Sequence, residues 1–99
     1  MEETLHYTEL YDLYGSLLTE RQRSIFEDYF FENLTLEEIA QFDGVSKSST
    51  AKTIKQIKVT LDETEKNLHF LEYMKKIKAE FEDELDILNR LKKYDNIVL

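Results

Sequence analysis

Four lysines, Lys47, Lys52, Lys55 and Lys58, stand between Val45 and Leu61 with no acid among them. Three short hydroxyl residues, Ser46, Ser48 and Ser49, open the same stretch. These types suit a phosphate ligand, lysine as a point charge and serine as a hydrogen-bond donor. The chain has a formal net charge of −8 and this window carries +4, so the remainder carries −8 − 4 = −12. A protein that grips phosphates broadly is basic overall. Here the anion-facing chemistry is confined to one segment. Any exposed helix tends to carry lysines; the complete lack of acids in so acidic a chain sets this one apart.

Catalysis finds little material. His6 and His69 are separated by most of the chain, and neither lies near a nucleophile with a third orienting partner in sequence. There is no glycine-rich phosphate loop and no calcium-loop pattern of alternating Asp and Asn. Without cysteine, disulfides and thiolate metal sites are ruled out. The expectation is a protein with no enzymatic activity, cofactor or metal. A cysteine-free composition fits a reducing cytoplasm. No run of about 18 apolar residues is present, as a membrane span would need. The N-terminus lacks the basic-then-apolar pattern of a signal peptide. A cytoplasmic location away from membranes is therefore expected.

The elements that must position the lysines are helices. Two glycines and no proline, with 34% charged residues, point to an all-α chain. Leu36, Ile39 and Ala40 form the stripe of a short amphipathic helix, with Thr35 as N-cap and Glu38 completing a capping box. Gly44 then supplies the positive φ that a tight turn requires. Ser46 caps a second helix carrying Ile54, Ile57 and Leu61 at helical spacing. Thr50 falls on that apolar arc, with its hydroxyl in reach of the Ser46 carbonyl. The four lysines span an adjacent arc of roughly 140°. Two short helices joined by a glycine turn, the second basic, constitute a helix-turn-helix.

Two helices precede this motif. Leu5, Leu10, Leu13 and Tyr14 suggest one, closed by Gly15 and Ser16. Thr19 caps another through Arg21, Ile25, Phe26, Tyr29 and Phe30, ending near Glu32 and Asn33. The aromatics Tyr7, Tyr11, Tyr14, Phe26, Tyr29, Phe30 and Phe31 read as packing residues, because a base-stacking platform would interleave them with cations. After the motif, Phe70, Met74, Ile77, Phe81, Leu85, Leu88 and Leu91 step at close to 3.5 residues, the repeat of a helix seam. Arg90, Lys92 and Lys93 suit that helix's C-terminal end. The stripe is longer than one face of so small a domain easily covers, so it is expected to form a homodimer interface. Folding back onto its own domain is the alternative. The expected division is residues 1–66 as a helix-turn-helix domain and residues 67–99 as the amphipathic tail.

These residues carry a resemblance. Leu18-Thr19, Gln22, Leu36, Glu38-Ile39-Ala40, Val45-Ser46, Ile54-Lys55, Leu61, Glu65 and Leu68 match the pattern of the YlxM-type family of small bacterial DNA-binding proteins. That family is similar to region four of sigma factors, with the motifs L-T-x-x-Q/R-R, L-x-E-I-A and G-[IV]-S. The likeness covers roughly residues 11–71. It implies a sigma region-four-like helix-turn-helix of the winged-helix type without a wing. It also implies DNA as the ligand, held through Ser46, Lys47, Ser48, Ser49, Lys52, Lys55 and Lys58, and a regulatory role. A part in the signal recognition particle pathway is implied as well, with components of that particle as partners. The alternative is a protein-interaction module of the targeting machinery that does not read DNA sequence. The chain departs from the family where base readout is concentrated. Lys47-Ser48-Ser49-Thr50 stands where the family has Arg-Gln-Ala-Val, Lys52-Thr53 where it favours an acid and an asparagine, and Gln56 where it favours arginine. Lysine lacks the planar fork with which arginine reads guanine.

Overall fold

The computed structural model describes residues 2–98, and the side chains of residues 2–91. Five α-helices follow in order: α1 (Glu2–Tyr14), α2 (Glu20–Phe30), α3 (Leu36–Asp43), α4 (Lys47–Leu68) and α5 (Phe70–Val98). A single 3₁₀ turn, Gly15–Leu17, links α1 to α2. Among the described residues there is no strand. The chain divides between His69 and Phe70 into two compact units.

Local chemistry sets the helix boundaries in the first unit. Thr19 accepts from the Gln22 amide while the Gln22 side chain accepts from the Thr19 amide, a reciprocal box that starts α2. Thr35 and Glu38 repeat the device at α3. Gly44 adopts φ 71°, and its amide and that of Val45 cap the last carbonyls of α3. The Ser46 hydroxyl accepts from the Ser49 amide to open α4. Asn33, at φ 55°, turns the chain between α2 and α3.

α4 is the hub, packing against α1, α2 and α3. Its buried face consists of Thr50, Ile54, Ile57 and Leu61, which meet Leu10 and Tyr14 of α1, Ile25, Phe26 and Phe30 of α2, and Ile39 and Ala40 of α3 in one core. Tyr11 stacks on Phe26 with ring centroids 4.2 Å apart, and Phe26 contacts Phe30 at 4.5 Å. One detail corrects the sequence reading. Thr50 is fully buried as expected, but its Oγ1 has no hydrogen-bond partner and does not reach the Ser46 carbonyl, which instead takes the Thr50 amide at 3.1 Å.

α4 also runs two turns past Leu61, and α1 accounts for the extension. The Tyr7 hydroxyl donates to Asp62 Oδ2 at 2.7 Å, His6 Nε2 meets Asp62 Oδ1 at 2.8 Å, and the Tyr14 hydroxyl donates to Glu65 Oε1 at 2.7 Å. These acids would be stray charges on an isolated helix; here they are the acceptors that seat α1. His69, left-handed at φ 55°, ends α4.

The second unit is α5 alone. Its stripe from Phe70 to Leu91 comprises seven large apolar residues, each between 41% and 56% exposed. Lys76 pairs with Glu72 and Arg90 with Asp86, one helical turn apart on the polar faces. The side chains of Lys92 and Lys93, expected near its end, lie outside the described residues.

Candidate nucleic-acid interface

The sequence places Ser46, Lys47, Ser48, Ser49, Lys52, Lys55 and Lys58 on one helix, and the fold separates them into distinct environments. With about 100° per residue, Lys52 and Lys55 lie roughly 130–170° from the centre of the buried arc, while Lys47 and Lys58 lie only about 50–70° from it. The outward pair therefore faces away from the body, and the flanking pair faces the acids of neighbouring helices.

That difference decides which cations are available. Lys52 and Lys55 are exposed, and among the described residues neither has an acidic partner. With Gln56, Val59 and Thr60 of α4 and Gln22 of α2 they line an open groove of about 550 Å³. Its lining combines the apolar side chain of Val59 with two amides, a hydroxyl and two ammonium groups. Lys47 Nζ sits 3.2 Å from Glu37 Oε1, on the first turn of α3. Both side chains are largely in water, at 60% and 72% exposed. Such a pair is weak and easily exchanged.

Lys58 is held differently. Its ammonium is bonded to Glu3 of α1 and sits 5.4 Å from the Tyr7 ring, 5.7 Å from Phe30 and 6.0 Å from Tyr29. Its side chain is only 23% exposed. The hydrogen bond from Lys58, then its charge, holds the Glu3 carboxyl below the usual carboxylate range. Lys58 acts as a strut between α1, α2 and α4 instead of joining the outward pair.

The hydroxyls open the helix. Ser46 serves as N-cap and also shares a hydrogen bond with Ser48 at 3.2 Å, and Ser49 gives its backbone amide to Ser46. Arg21 supports the turn from outside, its Nε donating to Asp43 Oδ1 at 3.0 Å and its Nη2 to Oδ2. This fork joins the start of α2 to the end of α3 beside Gly44. The partner carboxylate raises the Arg21 pKa above its ordinary value.

Three participants were not legible in the sequence. Glu3 lies 55 residues from Lys58 and Glu37 ten from Lys47, and Gln22 stands out there only as a match to the family pattern. The histidines are also located: His6 is tied to Asp62 on the surface, and His69 forms the α4–α5 turn. Among the described residues no group of three His, Asp or Glu side chains could hold a metal ion, and no helix is long and apolar enough to cross a membrane.

Comparison with known proteins agrees with this architecture. A family model described as "Putative helix-turn-helix protein, YlxM / p13 like" matches residues 1–98. The UPF0122 protein of Halalkalibacterium halodurans is 36% identical over 92 residues, covering 93% of this chain and 78% of the relative. That of Symbiobacterium thermophilum is 35% identical over 91 residues, covering 92% and 78%. A Clostridium kluyveri UPF0122 protein is 33% identical over 91 residues, covering 92% and 82%.

Proposed function

This chain belongs to the UPF0122 family of YlxM/p13-like helix-turn-helix proteins, and from that premise we propose that it is a non-enzymatic DNA-binding regulator whose contact surface is the outward face of α4. The observation that carries this reading is the pair of unpartnered lysines, Lys52 and Lys55, beside an open groove on the second helix of the motif. That helix is the one a helix-turn-helix lays in the major groove. Ser48 and Ser49 stand at its leading end, where they would meet phosphate or base edges.

The same surface sets limits on strength. Two free cations release about two counterions from B-DNA, which gives a shallow salt dependence, with log K falling by about 1.8 per decade of salt. No arginine on α4 offers the bidentate fork that reads guanine. The binding is therefore backbone-directed and weakly sequence-selective.

We place the dimer contact on α5, through Phe70, Met74, Ile77, Phe81, Leu85, Leu88 and Leu91. A lone helix has no core of its own, and a stripe with coiled-coil spacing is buried by a twin. Two copies would double the cations presented to one duplex, which offsets the weakness of each. A part in the signal recognition particle pathway follows from the family resemblance, and a cytoplasmic location from the cysteine-free composition.

Fluorescence anisotropy with a random-sequence duplex at low salt tests the α4 surface. Wild type should bind, and Lys52→Glu with Lys55→Glu should abolish binding while circular dichroism stays unchanged. Equal affinity for both proteins would remove α4 from the contact surface.

A further inference from the structure

We propose that Glu37 is a built-in competitor of the nucleic-acid phosphate, an affinity-limiting residue that masks Lys47 at the leading end of α4. This inference rests on the DNA-binding reading above and concerns how much of the lysine set that surface can use.

In a helix-turn-helix the first helix crosses the nucleic-acid backbone while the second enters the groove. An unencumbered helix N-terminus favours phosphate there, through its free amides and its dipole. The first turn of α3 instead carries Glu37 and Glu38. Glu38 is spent locally, its carboxylate accepting from the Thr35 amide at 3.1 Å. Glu37 makes no capping bond and reaches across to Lys47 Nζ at 3.2 Å. One carboxylate therefore acts twice: it neutralises the leading lysine, and it holds a negative charge where a phosphate would approach.

The two masked lysines differ in a way that makes the inference specific. Lys47 and Glu37 meet through one contact in water, with both side chains mostly exposed. Loss of the Glu37 charge frees Lys47 without disturbing the fold. Lys58 is mostly covered and ringed by Tyr7, Tyr29 and Phe30, so removing the Glu3 charge leaves it in place. Lys47 is thus a reserve cation, and Lys58 is committed to the fold.

The test compares salt dependence across four proteins with a random-sequence duplex of about 20 base pairs. Wild type should show a log–log slope near −1.8 for each bound protomer, from Lys52 and Lys55 alone. Glu37→Gln should steepen it by about 0.9, the increment for one further phosphate contact, and tighten low-salt binding by up to about fivefold. Glu37→Gln with Lys47→Gln should return to the wild-type slope, since the added contact is lost with Lys47. Glu3→Gln should keep the wild-type slope. If wild type binds and Glu37→Gln leaves the slope unchanged, the competitor role is wrong while the α4 surface stands. A steeper slope for Glu3→Gln, equal to that for Glu37→Gln, would equally overturn it, since the effect would then be one of bulk charge. If neither wild type nor Glu37→Gln binds, the DNA-binding reading falls and the competitor role falls with it.

Discussion

Thr50→Val should make this protein more stable. Thr50 is wholly buried on the core face of α4, and its Oγ1 has no hydrogen-bond partner. The next threonine on the same helix shows what is missing: Thr53 Oγ1 donates to the Ser49 carbonyl at 3.1 Å, one turn back. Measured in proteins, a buried hydroxyl left unpaired costs about 1–3 kcal/mol. Valine has the same shape, packs a methyl where the hydroxyl was, and has nearly the helix propensity of threonine. The net gain should therefore be about 1–2 kcal/mol. For a domain of this size, about 1 kcal/mol raises Tm by roughly 4–8 °C. Urea unfolding followed by circular dichroism should show a higher midpoint at unchanged slope, the signature of altered stability without altered compactness. Thr50→Ser, which keeps the hydroxyl and loses the methyl, should lower the midpoint. An unchanged or lower midpoint for Thr50→Val would show that the hydroxyl is productively bonded and would refute the reasoning.

The remaining perturbations address α1, the motif turn and the tail. Burial, reinforced by the hydrogen bond to Asp62, pushes the Tyr7 hydroxyl up to about 12. Because this folded-state value is raised above the ordinary 10, the stability it confers is complete below pH 10 and is lost as pH rises from 10 through 12. Tyr7→Phe should cost about 1 kcal/mol at neutral pH and flatten the alkaline fall in Tm. Gly44→Ala meets no atom within 4 Å, so its cost should be the left-handed backbone alone, about 1–2 kcal/mol in chemical denaturation. Sedimentation of wild type should give about twice the 11.9 kDa chain mass, and Phe81→Asp with Leu85→Asp should give folded monomer. A wild-type monomer at tens of micromolar would contradict the pairing.

What the sequence disclosed and what it concealed follow from the range of each interaction. Caps act over three residues, so Thr19, Thr35 with Glu38, and Ser46 were readable, as was the turn at Gly44. Periodicity likewise placed Thr50, Ile54, Ile57 and Leu61 on one buried face. The availability of the lysines was not readable, because it depends on partners far away in sequence. Glu3 lies 55 residues from Lys58, and only the docking of α1 on α4 brings them together. What the last turns of α4 do was hidden for the same reason, since Asp62 and Glu65 find their donors on α1. The sequence leaves the end of α4 open between residues 66 and 70. Histidine enters the left-handed region more often than most side chains but far less often than glycine, so His69 marks the turn only weakly.

The central claim is that nucleic acid meets the outward face of α4, and amide chemical shifts during titration with a random-sequence duplex test it most directly. The largest shifts should fall on residues 46–60 of α4 and on the first turn of α3, with Lys52, Lys55 and Gln56 foremost, and should fade as salt is raised. Shifts centred on α1 or α5, or a spectrum unchanged by duplex at low salt, would contradict the account.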